Sequence, residues 1–148
     1  MYRHILIPTD GSELAHRAVV HGLALAKAVG ARVTALTVEA SFNVYGVPAS
    51  QVTRMSAAFG EHAEQAKAHG ARILQGVADE AKALGVPCET AQMIQDHPYD
   101  AIVAAAKERG CDLIVMASHG RGGIAAIVLG SVTTKVLTHT AIPVLVCR

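Results

Sequence analysis

The sequence predicts a doubly wound α/β fold, a Rossmann-like five-stranded parallel sheet with helices on both faces. Three observations carry this. Short apolar runs rich in Val, Ile and Leu recur along the chain, continuous rather than alternating, as in strands buried on both faces. Stretches of helical periodicity separate them, and Gly or Pro punctuates the joins. Right-handed crossovers between parallel strands then place helices on both sides, and the expected strand order is 3-2-1-4-5.

The first strand is the run Ile5, Leu6, Ile7, closed by Pro8, Thr9, Asp10 and Gly11. Ser12 is the N-cap of a helix whose inner face is read as Leu14, Ala18, Gly22, Leu25 and Val29, with Gly30 ending it. Residues 32–38 form a second strand, and residues 39–50, with Gly46 and Pro48, an irregular, mobile connection. A long helical pattern occupies 51–84. It points Val52, Met55, Phe59, Ala63, Ala66, Ile73, Val77, Ala81 and Leu84 at the core, with Gly60 and Gly70 as points of bending. After Gly85 and Pro87 come a third strand at 88–94 and a helix opened by Pro98 and running to Arg109, with Gly110 as its stop. Residues 113–117 are a fourth buried strand, 131–140 a short helix, and Pro143, Val144, Leu145, Val146 and Cys147 a final strand.

With 148 residues, 51% hydrophobic, the chain is sized for one domain spanning 1–148. No apolar stretch approaches the ~20 residues of a membrane helix, and the N-terminus lacks the features of a secretory signal, so a cytoplasmic protein is expected. A net charge of +1 and 3% aromatic residues supply neither a basic stripe nor a stacking platform, which argues against nucleic acid as a partner. Cys88, Cys111 and Cys147 are odd in number and widely spaced, so they read as reduced and structural rather than as disulfides or zinc ligands. The eight histidines include no pair spaced for one ion: His62 and His69 are about two helical turns apart, and His16 and His21 do not share a face well.

In a doubly wound sheet, ligands sit beyond the carboxyl ends of the strands, where strand order reverses. Two loops meet that description: Pro8 to Ser12 after the first strand, and the glycine-rich stretch with Gly120, Gly122 and Gly123 after the fourth. Glycines let backbone amides approach an anion, and Gly130, Ser131, Val132 and Thr133 open a helix whose amides, with the Ser131 and Thr133 hydroxyls, are expected to face the same phosphate. Asp10 is placed either to accept from ribose hydroxyls or to hold its own turn. No GxxxxGK[ST] or GxGxxG follows the first strand, which disfavours the ordinary P-loop and dinucleotide readings. His119 and Arg121 read equally as solvent-facing loop residues and as phosphate contacts.

Those residues resemble the universal stress protein family, ATP-binding type. The family pattern is Gly-x-x-Gly, nine residues, then Gly-Ser or Gly-Thr; here Ala117, Ser118, His119 and Gly120 precede nine residues and Gly130-Ser131. The opening Ile-Leu-Ile-Pro-Thr-Asp-Gly-Ser and the closing Pro-Val-Leu-Val are also similar, so the likeness spans the chain. It implies adenine near Pro8, Thr9 and Val38, ribose near Asp10, and phosphates at Gly120, Gly130, Ser131, Val132 and Thr133. Met116, Ala117 and Gly123 complete the implied nucleotide site, ATP with magnesium is the implied ligand, and a homodimer through the last strand is the implied assembly. Ala117 departs from the pattern, standing where the first glycine is expected; its methyl matters if the backbone there needs positive φ or very close ligand approach. A regulatory protein that reads nucleotide occupancy to a protein partner is the first functional reading. A slow ATPase or a protein autophosphorylated at Ser131 is the second, lacking a nearby Lys, paired carboxylates or an obvious base. A nucleotide-independent, chaperone-like dimer is the third.

Overall fold

The computed structural model describes residues 1–41, 46–120 and 129–148. Among the described residues nine elements follow in strict alternation: β1 (His4–Pro8), α1 (Glu13–Val29), β2 (Arg32–Glu39), α2 (Ala49–Leu84), β3 (Cys88–Ile94), α3 (Pro98–Glu108), β4 (Leu113–Ala117), α4 (Ser131–His139) and β5 (Val144–Cys147). All strand pairs are parallel and the order is β3-β2-β1-β4-β5, as expected from the sequence. The reversal of order falls between β1 and β4, which opens a crevice at their carboxyl ends.

Because strand side chains alternate between faces, each strand feeds two cores. Ile5, Ile7, Val33, Ala35, Leu113 and Val115 face α1 and α2, whereas Leu6, Leu36, Ile114 and Met116 face α3 and α4. Strands β1 and β4 are buried along their whole length, which is why their sequences are unbroken apolar runs.

Helix α1 is capped by Ser12, whose Oγ accepts from the Ala15 amide at 3.2 Å, and it ends at Gly30 as expected. Its buried stripe is broader than the sequence reading, running through Ala15, Ala18, Val19, Gly22, Leu23 and Ala26, with Leu14, Leu25 and Val29 packed at its edges. The small residues bring the helix axis close to the sheet. A side chain at Gly22 would collide with Ile7.

Helix α2 corrects a larger expectation. Only Gly70, Leu74, Val77 and Ala81 are buried; Val52, Phe59, Ala66 and Ile73 are half-buried, and Met55, Ala63 and Leu84 are exposed. The reason is length. Thirty-six helical residues extend about 54 Å, whereas the eight residues of β2 extend about 26 Å, so the sheet covers only the second half of the helix. The helix runs unbroken through Gly60 and Gly70. At Gly70 the missing side chain leaves room for Gln92 of β3, which donates to the Lys67 carbonyl at 3.1 Å.

The amino-terminal edge of the sheet is held by a polar corner. Asp112 accepts from the amides of Arg3 (2.9 Å) and His4 (3.0 Å), and the buried His4 ring reaches Thr34 Oγ1 at 2.8 Å and the Arg109 carbonyl at 3.1 Å. Burial, and then the Arg32 charge, hold the His4 pKa below its ordinary value. Burial pushes the Asp112 carboxyl up, but the donated amides of His4 and Arg3 outweigh it and leave the pKa lowered.

All three cysteines are free thiols, Cys111 and Cys147 buried and Cys88 half-buried. Among the described residues no helix is long and apolar enough to cross a membrane.

Candidate functional site

The site grows from the ends of β1 and β4. Past Pro8 the Thr9 amide donates to Leu36 O at 2.8 Å, carrying the β1–β2 ladder one residue further. The chain then turns sharply: Thr9 Oγ1 accepts from the Gly11 amide (3.2 Å) and Asp10 Oδ1 from the Ser12 amide (2.9 Å). Gly11 has φ +76°, and a side chain there would also strike Ile73 of α2, so this turn requires glycine. The two sequence readings of Asp10 are therefore compatible. Oδ1 holds the turn, while Oδ2 lies against the loop after β4, 2.8 Å from where a Gly120 side chain would begin.

At the end of β4, Ala117 is an ordinary strand residue paired with Cys147, and the Ser118 amide donates to Cys147 O at 2.8 Å. The methyl at Ala117 thus carries no penalty for an unusual backbone conformation; it packs in the core under α1. Helix α4 is fastened directly onto this strand end. The Gly130 amide donates to Ser118 O at 2.8 Å, and the buried Thr133 hydroxyl donates to Ala117 O (2.9 Å) and Ser118 O (3.2 Å). Gly130 has the extended conformation of a helix N-cap, and glycine is needed there for proximity: an added Cβ would lie 3.0 Å from Ser118 O.

This docking fixes where the free donors of α4 sit. Its first i→i−4 bond runs from Thr134 N to Gly130 O at 3.0 Å, so the amides of Ser131, Val132 and Thr133 have no acceptor within the helix. Val132 and Thr133 line one cleft with Asp10 and Gly120, which brings the positive end of a helix dipole to that side, an arrangement suited to anions.

Between these parts is a cleft of about 180 Å³. Leu36, Val38, Met116, Ile102, Pro98 and Val132 form its apolar walls; Thr9, Asp10, His119 and Gly120 lie along its polar side. An apolar slot with a few convergent polar groups is the usual form of a small-molecule site.

Of the residues singled out in the sequence, Pro8, Thr9, Asp10, Val38, Met116, Ala117, Gly120, Val132 and Thr133 line this cleft. Gly130 and Ser131 start the helix next to it without lining it. Gly123, with Arg121 and Gly122, lies outside the described residues. One expectation changes: the Thr133 hydroxyl is committed to two carbonyls, so this residue can offer an anion only its amide. Sequence reading missed Ala15, Leu36, Pro98 and Ile102 as lining residues. Leu36 was legible, since it shares a strand face with Val38 two residues on. Among the described residues no group of three His, Cys, Asp or Glu side chains is placed to hold a metal ion.

The universal stress protein family model matches residues 1–148. The universal stress protein MJ0531 of Methanocaldococcus jannaschii is 34% identical over 148 residues, covering 100% of this chain and 83% of that protein. Among solved structures, the hypothetical protein MJ0577 of the same organism superposes with a TM-score of 0.82 at 28% identity, covering 99% of this chain and 96% of that one. A universal stress protein in complex with cAMP superposes with a TM-score of 0.72 at 27% identity, covering 99% and 97%.

Proposed function

The chain belongs to the universal stress protein family, and from that premise we propose that it is a regulatory nucleotide-binding protein whose ligand is ATP, with magnesium riding on the phosphates. The observation that carries this reading is the convergence, at one cleft, of an apolar slot, a carboxylate and the opening turn of α4, whose first amides have no acceptor within the helix. Adenine fits the slot between Pro8, Thr9, Val38 and Met116. The Asp10 carboxylate, which lines the cleft, accepts from ribose hydroxyls. The phosphates lie by Gly120, Gly123 and Gly130 and on the amides of Ser131, Val132 and Thr133; the Gly130 amide itself is held by Ser118 O. A similar protein carrying cAMP supports the adenine nucleotide class.

The site is read as one that holds rather than cleaves. Among the described residues no Lys, Arg or second carboxylate lines the cleft to stabilise a transferring phosphoryl group. Occupancy would instead change the surface offered to a protein partner at the ends of β1 and β4. The same reading includes a cytoplasmic homodimer. Strand β5 is an edge strand and its Leu145 is 43% exposed, an uncovered apolar edge that pairing with a second copy would remove.

The test is the melting temperature of nucleotide-stripped protein with Mg-ATP, Mg-GTP or neither. Ligand at a hundredfold over its Kd adds about 2.7 kcal/mol, which for a chain this size is a rise of roughly 5–10 °C. A rise with ATP supports the reading; no rise at millimolar ATP refutes it. Light scattering tests the dimer, and a monomer mass at all concentrations refutes that part.

A further inference from the structure

We infer that Ile73 of α2 is a positioning residue of the nucleotide site: it occupies the space a side chain at Gly11 would take, stops the turn that carries Asp10 from leaning away from the cleft, and so makes recognition of the ribose hydroxyls depend on α2. The inference rests on the nucleotide reading above and adds to it a residue from a helix that does not itself line the cleft among the described residues.

The turn after β1 is anchored at both ends. Thr9 continues the ladder to Leu36 O, and Ser12 caps α1. Between them Thr9 Oγ1 and Asp10 Oδ1 accept from the Gly11 and Ser12 amides, bonds that shape the turn but lie within it. How far the turn leans to either side is set by what stands there. The strand order puts β2 and β3 on one side of β1 and β4 on the other. Toward β4 is Gly120, where an added Cβ would lie 2.8 Å from Asp10 Oδ2. The other stop is Ile73: a Cβ added at Gly11 would meet its Cδ1 at 2.7 Å and its Cγ1 at 2.9 Å.

This stop is stiff. A β-branched side chain in a helix has one strongly preferred χ1, and the part of α2 that bears Ile73 is fastened to the sheet. Gly70 sits against Gln92 of β3, which donates to the Lys67 carbonyl at 3.1 Å, and Leu74 and Val77 are buried in the core shared with β1 and β2. Ile73 itself is half-buried, so trimming it disturbs the turn more than the core. A carboxylate displaced by about 1 Å stretches a hydrogen bond of ~2.8 Å out of bonding range, and losing the carbons beyond Cβ of Ile73 leaves room for such a shift.

The experiment is calorimetric titration of Mg-ATP and its 2′,3′-dideoxy analogue into nucleotide-stripped wild type, Ile73→Ala, Ile73→Val and Val77→Ala. The analogue keeps base and triphosphate and lacks both hydroxyls that Asp10 would accept from. Wild type should prefer ATP by about tenfold or more, the worth of a hydrogen bond to a charged group. In Ile73→Ala the preference should fall to roughly twofold, because ATP binding weakens while binding of the analogue stays within about twofold of wild type. Ile73→Val, which removes only the nearest atom, should be intermediate and supplies the ratio if the Ala variant does not fold. Val77→Ala is the control for lost packing: it should lower Tm and keep the wild-type preference. An undiminished preference in the Ile73 variants, or an equal loss in Val77→Ala, overturns the role of Ile73 and leaves the nucleotide reading standing. Equal wild-type affinity for both nucleotides overturns the ribose role of Asp10 and this inference with it. No binding of either to wild type overturns the nucleotide reading as a whole.

Discussion

Replacing Gly130 by Ala perturbs the joint between β4 and α4 while substituting no side chain of the cleft. At φ −59° and ψ 154° the backbone accepts Ala without strain, so the whole effect must come from contact. The new methyl would sit 3.0 Å from Ser118 O and 3.3 Å from the His119 Cα, tighter than ordinary packing. Relief requires the first turn of α4 to move off the strand end by a few tenths of an ångström, lengthening the 2.8 Å bond from Gly130 N to Ser118 O and those of the Thr133 hydroxyl. Overpacking of this kind costs about 1–3 kcal/mol, a fall in Tm of roughly 2–10 °C. The effect on ATP should be larger in proportion, because the amides proposed to meet phosphate move together. Losing one hydrogen bond to a charged group, worth ~1.5–3 kcal/mol, weakens binding by about tenfold to hundredfold. Chemical denaturation and calorimetric titration measure the two effects separately. Ala117→Gly is the control: it restores the family pattern inside a regular strand, so it should lower stability by about 0.5–1 kcal/mol and leave ATP affinity within twofold. A Gly130→Ala protein that binds ATP like wild type would refute the argument that this glycine serves close approach.

The His4 corner predicts the acid limit of stability. A folded pKa below the ordinary 6.5 means that the unfolded chain binds the proton more readily, so stability is full above about pH 6.5 and falls as pH drops toward the folded value. Asp112, also lowered, adds a second loss as pH falls below 3.8 through its own folded value. Urea denaturation of wild type and His4→Gln should show a smaller decline between pH 6.5 and 5 in the variant; identical declines would remove His4 as the cause. Thr37 in β2 is 2% exposed, and its hydroxyl has no hydrogen-bond partner among the described residues. Thr37→Val should therefore stabilise the fold by about 1 kcal/mol, and a drop in Tm would contradict that. Burial pushes the Cys111 thiol up to about 11, and Cys147 is raised by the same cause. Both should resist iodoacetamide in the native protein at pH 7.5 and react only after unfolding, with rapid native labelling of Cys111 as the contrary result.

How far the sequence could be read depended on whether local chemistry or three-dimensional packing decided the matter. The bounds of β3 and β4 coincide with the expected 88–94 and 113–117, because Pro87 precedes one and Gly110 and Asp112 precede the other, while the runs between are apolar or β-forming. The observed strand order is the expected one, although alternation and crossover handedness alone admit other doubly wound orders. The first half of α2 misled because its apolar repeat continues in phase beyond the point where the sheet ends, and no local signal marks that point. Thr133 misled in a different way. A hydroxyl at a helix start fits an anion site equally well in sequence, and only the docking of α4 shows that the carbonyls of Ala117 and Ser118, at the end of the ladder, claim it first. Pro98 and Ile102 became cleft residues through the placement of α3 over the sheet, which no motif encodes. The orientation of His119 likewise depends on a buried neighbour whose hydroxyl could not be assigned a direction from sequence.

The proposed position of ATP is across the carboxyl ends of β1 and β4, with its phosphates on the opening turn of α4. Titration of nitrogen-15-labelled protein with Mg-ATP, followed by amide resonances, tests it residue by residue. The account predicts saturable shifts at Asp10, Gly120, Gly130, Ser131, Val132 and Thr133, with the phosphate-side changes absent when adenosine replaces ATP. Unchanged α4 amides at saturating ATP, or shifts confined to another face of the sheet, would contradict it.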